Sequence, residues 1–171
     1  MSESSQRCAE EWTRFYLENR RGIIAFAISQ AGNAADAADL VQDTLVRLVR
    51  QECAPDDPSA YFFRCLRNEA ISRRRARRPN AAALDSAAAC FHDAGICDVE
   101  LRERVTVVQG ALSALPDAQR ETVVLRIYAE MTFEQIAGIL GRPLGTVTSH
   151  YARALEALRT ALEPEVDDVV Q

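Results

Sequence analysis

The segment TFEQIAGILGRPLGTVTSHYARALEALR (132–159) decides how the rest of this 171-residue chain is organised. Thr132 followed three residues later by Gln135 is a capping box, so a helix begins at Phe133. Phe133, Ile136, Ala137, Ile139 and Leu140 share one face of it; Gly141 ends it, and the turn GRPL restarts the chain. Small Ala137 suits the close crossing of two helices. The second helix, from about Leu144 to Leu162, turns Val147, Tyr151, Ala154, Leu155 and Leu158 inward. Thr146, Ser149 and Arg153 point outward, flanked by Thr148 and His150. Short hydrogen-bonding side chains with one Arg equip a helix to lie in a DNA major groove.

Electrostatics complicates that reading. The net charge is -5, and every basic residue is Arg, for the chain contains no Lys. Arg binds phosphate and base edges through a planar fork, so its placement matters more than its total. It is concentrated in AYFFRCLRNEAISRRRARR (60–78), a helix announced by Asp57-Pro58-Ser59, with Asp57 as cap and Pro58 in the first turn. Phe62, Phe63, Leu66 and Ala70 make its inner face, and Arg64, Arg67, Arg75 and Arg78 line the other. A stripe of guanidinium groups repels itself unless an anion lies along it, and a phosphate backbone is a natural partner.

Working outward, the chain divides into residues 8–78, an alanine-rich stretch at 79–100, a second helical zone at 101–162 and an acidic tail at 163–171. The composition shift predicts an all-α protein: an N-terminal helical bundle and a C-terminal helix-turn-helix domain joined by a flexible linker. In the first zone Trp12, Phe15, Tyr16, Ile23, Ile24, Phe26 and Ile28 mark buried faces before a break at Gly32-Asn33. The next helix, about 34–51, buries Leu40, Val41, Thr44, Leu45, Leu48 and Val49 and leaves Asp36, Asp39, Gln42, Asp43, Val46 and Arg50 outside. Residues 101–114 form a helix, and after Leu115-Pro116 another carries Val123, Val124, Ile127 and Tyr128 as its apolar set.

Several functions are excluded. No apolar run approaches the ~18 residues that span a bilayer, and MSESSQRCAEEW lacks the features of a signal peptide, which points to the cytoplasm without membrane insertion. Five irregularly spaced cysteines (8, 53, 65, 90, 97) read as reduced thiols. Cys90, His92 and Cys97 match no zinc spacing. With no Gly-rich phosphate loop and no triad-like setting for His92 or His150, neither catalytic residues, metal, cofactor nor small-molecule substrate is expected.

Three segments together, DLVQDTLVRL (39–48), AYFFRCLRNEAI (60–71) and LPDAQRETVVLRIYAEMTFEQIAGILGRPLGTVTSHYARALEALR (115–159), resemble the extracytoplasmic-function RNA polymerase sigma factors of the sigma-70 superfamily. The resemblance covers nearly the whole chain. It implies a subunit that binds core RNA polymerase and directs promoter recognition and melting, and often an anti-sigma partner. Asp36, Asp39, Gln42 and Asp43 correspond to the polymerase-docking surface. Tyr61, Arg64, Arg67, Asn68, Arg74, Arg75 and Arg78 correspond to the reader of the minus-ten element. Thr132, Thr146, Thr148, Ser149, His150 and Arg153 correspond to the reader of the minus-thirty-five element. Departures are Tyr61 where Trp is frequent, Ser72 where Asp is, and Thr148 and His150 where Lys and Arg are frequent. Two competing readings are a sigma-like decoy that binds an anti-sigma protein without DNA, and a stand-alone helix-turn-helix regulator. An enzyme of helical-bundle type has the least support.

Overall fold

The computed structural model describes residues 3–50, 55–77 and 99–166, and among them the structure is entirely helical. In chain order the helices are α1 (Glu3–Ala31), α2 (Ala34–Val49), α3 (Pro58–Arg77), α4 (Val99–Ala114), α5 (Asp117–Ile127), α6 (Phe133–Leu140) and α7 (Leu144–Val166). The expected linker lies outside the described residues from 79 to 98; Val99 and Glu100 already belong to α4.

Local sequence sets most boundaries. Gly32 adopts a positive φ of 83°, and the Asn33 side chain caps α2 by accepting from the Asp36 backbone at 2.8 Å. Asp57 caps α3 by accepting from the Ala60 N–H at 2.9 Å. The capping box at Thr132 forms in both directions: Gln135 N–H donates to Thr132 Oγ1, and Thr132 N–H to Gln135 Oε1. Gly141 takes the left-handed conformation (φ 62°, ψ 39°) that ends α6. At the other end of the chain α7 continues to Val166, so the first part of the expected acidic tail is helical.

The N-terminal core is aromatic. Trp12, Phe15 and Phe62 stack in a chain with centroid separations of 5.6 and 5.3 Å, and Phe63 joins Phe62 to Phe26 edge-on. Ile23, Leu40, Leu48 and Leu66 close around them. Unexpectedly, the same buried cluster runs on into the C-terminal half through Val124, Leu125, Met131, Ile136, Ile139, Leu140 and Val147. Here α1 packs against α5, and α3 against α6. A smaller cluster of Leu115, Val123 and Ala154, backed by Leu112, Tyr151 and Leu158, ties α4 and α5 to α7.

Two apolar expectations are corrected. Ile127 is 49% exposed, because the inner arc of α5 is taken by Glu121 to Leu125. Leu155 is 41% exposed, because Ala154 takes the buried position and lets the helices approach closely. Accordingly, Phe62→Ala should destabilise the fold by about 3–5 kcal/mol. Ile127→Ser should change stability by less than about 0.5 kcal/mol. Urea unfolding followed by circular dichroism measures both.

Candidate nucleic-acid interface

α3 carries six of the arginines, and one face of the helix is sealed in the core by Phe62, Phe63, Leu66 and Ala70. The remaining faces divide. Arg64 lies over the Tyr61 ring, 5.4 Å from its centroid, and both Arg64 and Arg75 are exposed, as is Asn68. Arg73 is held inward by Glu69, by Asp43 of α2 and by the Asp39 carbonyl. Arg78 and its role lie outside the described residues.

Arg67 and Arg74 behave differently from the rest of the expected stripe. The Arg67 Nε donates to both oxygens of Glu121, at 3.3 and 3.2 Å, and Gln30 Nε2 donates to the same carboxylate at 3.0 Å. Glu121 is buried, its side chain only 9% exposed. One α-helical turn earlier, Asp117 accepts from Arg74 Nη1 at 3.2 Å and from Arg120. Arg74 also reaches the Gln30 carbonyl at 3.4 Å. Two of the seven residues expected at the minus-ten reader are therefore occupied by carboxylates of the C-terminal half.

On α2, Asp39, Gln42 and Asp43 are exposed, but Asp36 belongs to the helix cap with Asn33, and Asp43 is shared with Arg73. A groove of about 460 Å³ runs beside them between α1 and α2, lined by Tyr16, Ile24, Ile28, Val41, Gln42, Leu45 and exposed Val46.

In the helix-turn-helix, Phe133 meets Tyr151 edge-on at 5.3 Å, and Arg126 lies 4.9 Å over the Phe133 ring while donating to the Met131 carbonyl. These contacts brace α6 against α5 and α7. Thr148, Ser149 and Arg153 stand exposed on α7, as expected. The Thr148 and Ser149 hydroxyls donate back to the Gly145 carbonyl at 3.1 and 2.8 Å, which leaves their lone pairs free to accept. Thr146 and His150 are half-buried, and His150 Nδ1 is a buried atom without a partner. Thr132 is exposed but already committed to the cap.

Sequence reasoning missed Glu121, Gln30 and Asp117, and also a bond across the seam from Gln135 Nε2 to Asp57 Oδ2, at 2.9 Å. The one available signal was the position of Glu121, three and four residues before Val124 and Leu125, which puts a carboxylate on an inner face. The bonds from Ala60 N–H and then from Gln135 hold the Asp57 carboxyl below its ordinary value of 3.8. Among the described residues no helix is long and apolar enough to cross a membrane.

This arrangement has clear counterparts. Residues 15–79 match the model of the family described as Sigma-70 region 2, and residues 111–160 that of Sigma-70, region 4. The ECF RNA polymerase sigma factor EcfG of Rhodopseudomonas palustris is 34% identical over 144 residues, covering 81% of this chain and 77% of that one. The RNA polymerase sigma-E factor of Streptomyces avermitilis is 33% identical over 157 residues, covering 90% and 86%. Among solved structures, the sigma factor RpoE of Bartonella quintana, in complex with the anti-sigma factor NepR, has a TM-score of 0.74 at 28% identity. That match covers 90% of this chain and 98% of that one. CnrH, in complex with the cytosolic domain of CnrY, shares the fold at a TM-score of 0.64 and 22% identity, covering 94% and 96%. The chain belongs to the extracytoplasmic-function RNA polymerase sigma factors of the sigma-70 family. Members of that family are transcription initiation factors.

Because the folded Asp57 carboxyl titrates below its unfolded value, its contribution is fully present above about pH 4 and is lost as pH falls through the lowered folded value. Asp57→Ala should cost about 1 kcal/mol at neutral pH through loss of the α3 cap. The gap between variant and parent should stay constant down to about pH 4 and narrow only below it, as read by urea titrations across pH.

Proposed function

We propose that the chain binds core RNA polymerase in the cytoplasm through the outer face of α2 and reads promoter DNA with its two halves. Residues 8–78 form the docking and minus-ten module, 79–100 the linker, 101–162 the minus-thirty-five module and 163–171 a tail. Asp36, Asp39, Gln42 and Asp43, beside the α1–α2 groove, make the polymerase surface. Tyr61, Arg64, Arg67, Asn68, Arg74, Arg75 and Arg78 hold the unpaired strand of the melted element. Thr146, Thr148, Ser149, His150 and Arg153 contact the upstream element, with Thr132 fixing the start of α6.

The observation that supports this division is the contrast between the two exposed helical faces. That of α3 is dense in guanidinium groups beside Tyr61 and Asn68; that of α7 carries hydroxyls and one Arg behind a capped turn. Melting costs a few kcal/mol per unstacked base, which aromatic stacking and phosphate attraction offset. Duplex reading needs base-edge hydrogen bonds more than charge, because tethering to polymerase raises the effective concentration of α7 at the promoter. Control by an anti-sigma protein is supported by the structural relative RpoE of Bartonella quintana, which was solved with the anti-sigma factor NepR.

Run-off transcription with purified core polymerase tests the whole reading: promoter-dependent initiation is expected, and binding of an anti-sigma protein without initiation would establish a decoy instead. Arg64→Ala with Arg75→Ala should weaken open-complex formation and lower its salt slope by about 1.4, at about 0.7 per single-strand phosphate contact. Ser149→Ala or Arg153→Ala should cost about 1–3 kcal/mol at particular upstream bases while core binding stays at the parental level in a pull-down assay.

A further inference from the structure

We infer that Ser149 meets the upstream element as a hydrogen-bond acceptor only, so that the group it selects is an exocyclic amino group, the N6 amino of adenine or the N4 amino of cytosine. This rests on the proposed placing of α7 in the major groove. A serine hydroxyl has one hydrogen to donate and two lone pairs that accept, and it therefore ordinarily serves donors and acceptors on base edges alike. At position 149 the hydrogen is already committed: Ser149 Oγ donates to the Gly145 carbonyl at 2.8 Å. That bond lies within α7 itself and forms whether or not DNA is present. Turning the hydrogen outward to a base acceptor gives the bond up, whereas accepting from an amino group keeps it.

Thr148 is bound to the same carbonyl, but less firmly. The Gly145 oxygen has two lone pairs and also receives the Ser149 N–H of the helical ladder, so the two hydroxyls compete for what remains, and Thr148 Oγ1 stands off at 3.1 Å. Ser149 thus has the fixed polarity, and Thr148 keeps more freedom to turn. The setting suits a base contact. Ser149 lies in the second turn of α7, which starts at Leu144, and the N-terminal part of a recognition helix is what meets base edges. Residues 141–145 are all exposed, and nothing stands within 4 Å of the place a Gly145 Cβ would take, so no neighbouring element comes between this end of α7 and a groove. Arg153, exposed one turn later on the same face, has the opposite polarity: a guanidinium only donates, and guanine O6 and N7 are the acceptors that fit its fork. Four residues place the two side chains about 6 Å apart along the helix, within about two base steps of 3.4 Å.

The test uses the full chain with core polymerase and reads open-complex formation. Promoters randomised at the upstream element identify the base pair whose preference Ser149→Ala relaxes. At that pair the amino group is removed, by purine in place of adenine or 2-pyrimidinone in place of cytosine, and in a parallel duplex a 7-deazapurine removes the N7 acceptor. Loss of the amino group should cost the parental complex about fivefold more than the Ser149→Ala complex, a comparison in which any weakening of the duplex cancels. Loss of N7 should cost the two equally. Equal losses on removing the amino group, or an N7 effect that disappears in Ser149→Ala, overturn the inference. If Arg153→Ala relaxes a guanine while Ser149→Ala relaxes nothing, α7 keeps its assignment and Ser149 loses the role given to it here; if neither variant alters any preference, the placing of α7 on the upstream element fails as well.

Discussion

Six arginines on one twenty-residue helix are the constraint to which the rest of the molecule answers. Like charges on successive turns of α3 repel, and burying Phe62, Phe63 and Leu66 on the same helix leaves the arginines no freedom to disperse. Each described guanidinium side chain meets this differently. Arg64 uses a ring face, Arg73 uses Glu69 and α2, and Arg67 and Arg74 use the carboxylates of α5. Arg75 is left to solvent. An acidic chain can thus carry a strongly basic helix, because much of the opposing charge is placed directly against it.

That compensation explains why the two halves share a core. Val124, Leu125, Met131 and Ile136 contribute apolar surface, and Glu121 contributes the charge that keeps Arg67 from being an unpaired cation beside it. Neither would suffice alone. Apolar packing against α3 without a counter-ion would strand a half-buried guanidinium; an exposed ion pair without packing contributes less than about 1 kcal/mol. The described helices of the two halves consequently pack on each other, while the face of α7 stays open to solvent.

Helix boundaries and caps were legible from short-range chemistry. Asp57 and Thr132 cap the helices that their positions predict, the expected break at Gly32-Asn33 is where Asn33 caps α2, and Gly141 adopts the left-handed turn that ends α6. Periodicity also placed the aromatic core, because Phe62 and Phe63 recur on a face that admits no charge. It failed at Ile127 and Leu155, where several apolar residues competed for one buried arc and the geometry of the neighbouring helix chose between them.

The sequence by itself determined the helical elements, the separation of basic stripe from polar recognition helix, and the family to which the chain belongs, since each is written in segments that can be read one at a time, without knowing how they pack. Only the tertiary structure decided which arginines remain available. Arg64 and Arg67 are one turn apart and chemically identical, yet one is exposed and the other is bound to a carboxylate 54 residues away in sequence. No local pattern encodes such a pairing: it arises when α1 and α3 pack on α5 and α6, and Gly22 is small enough to let them meet.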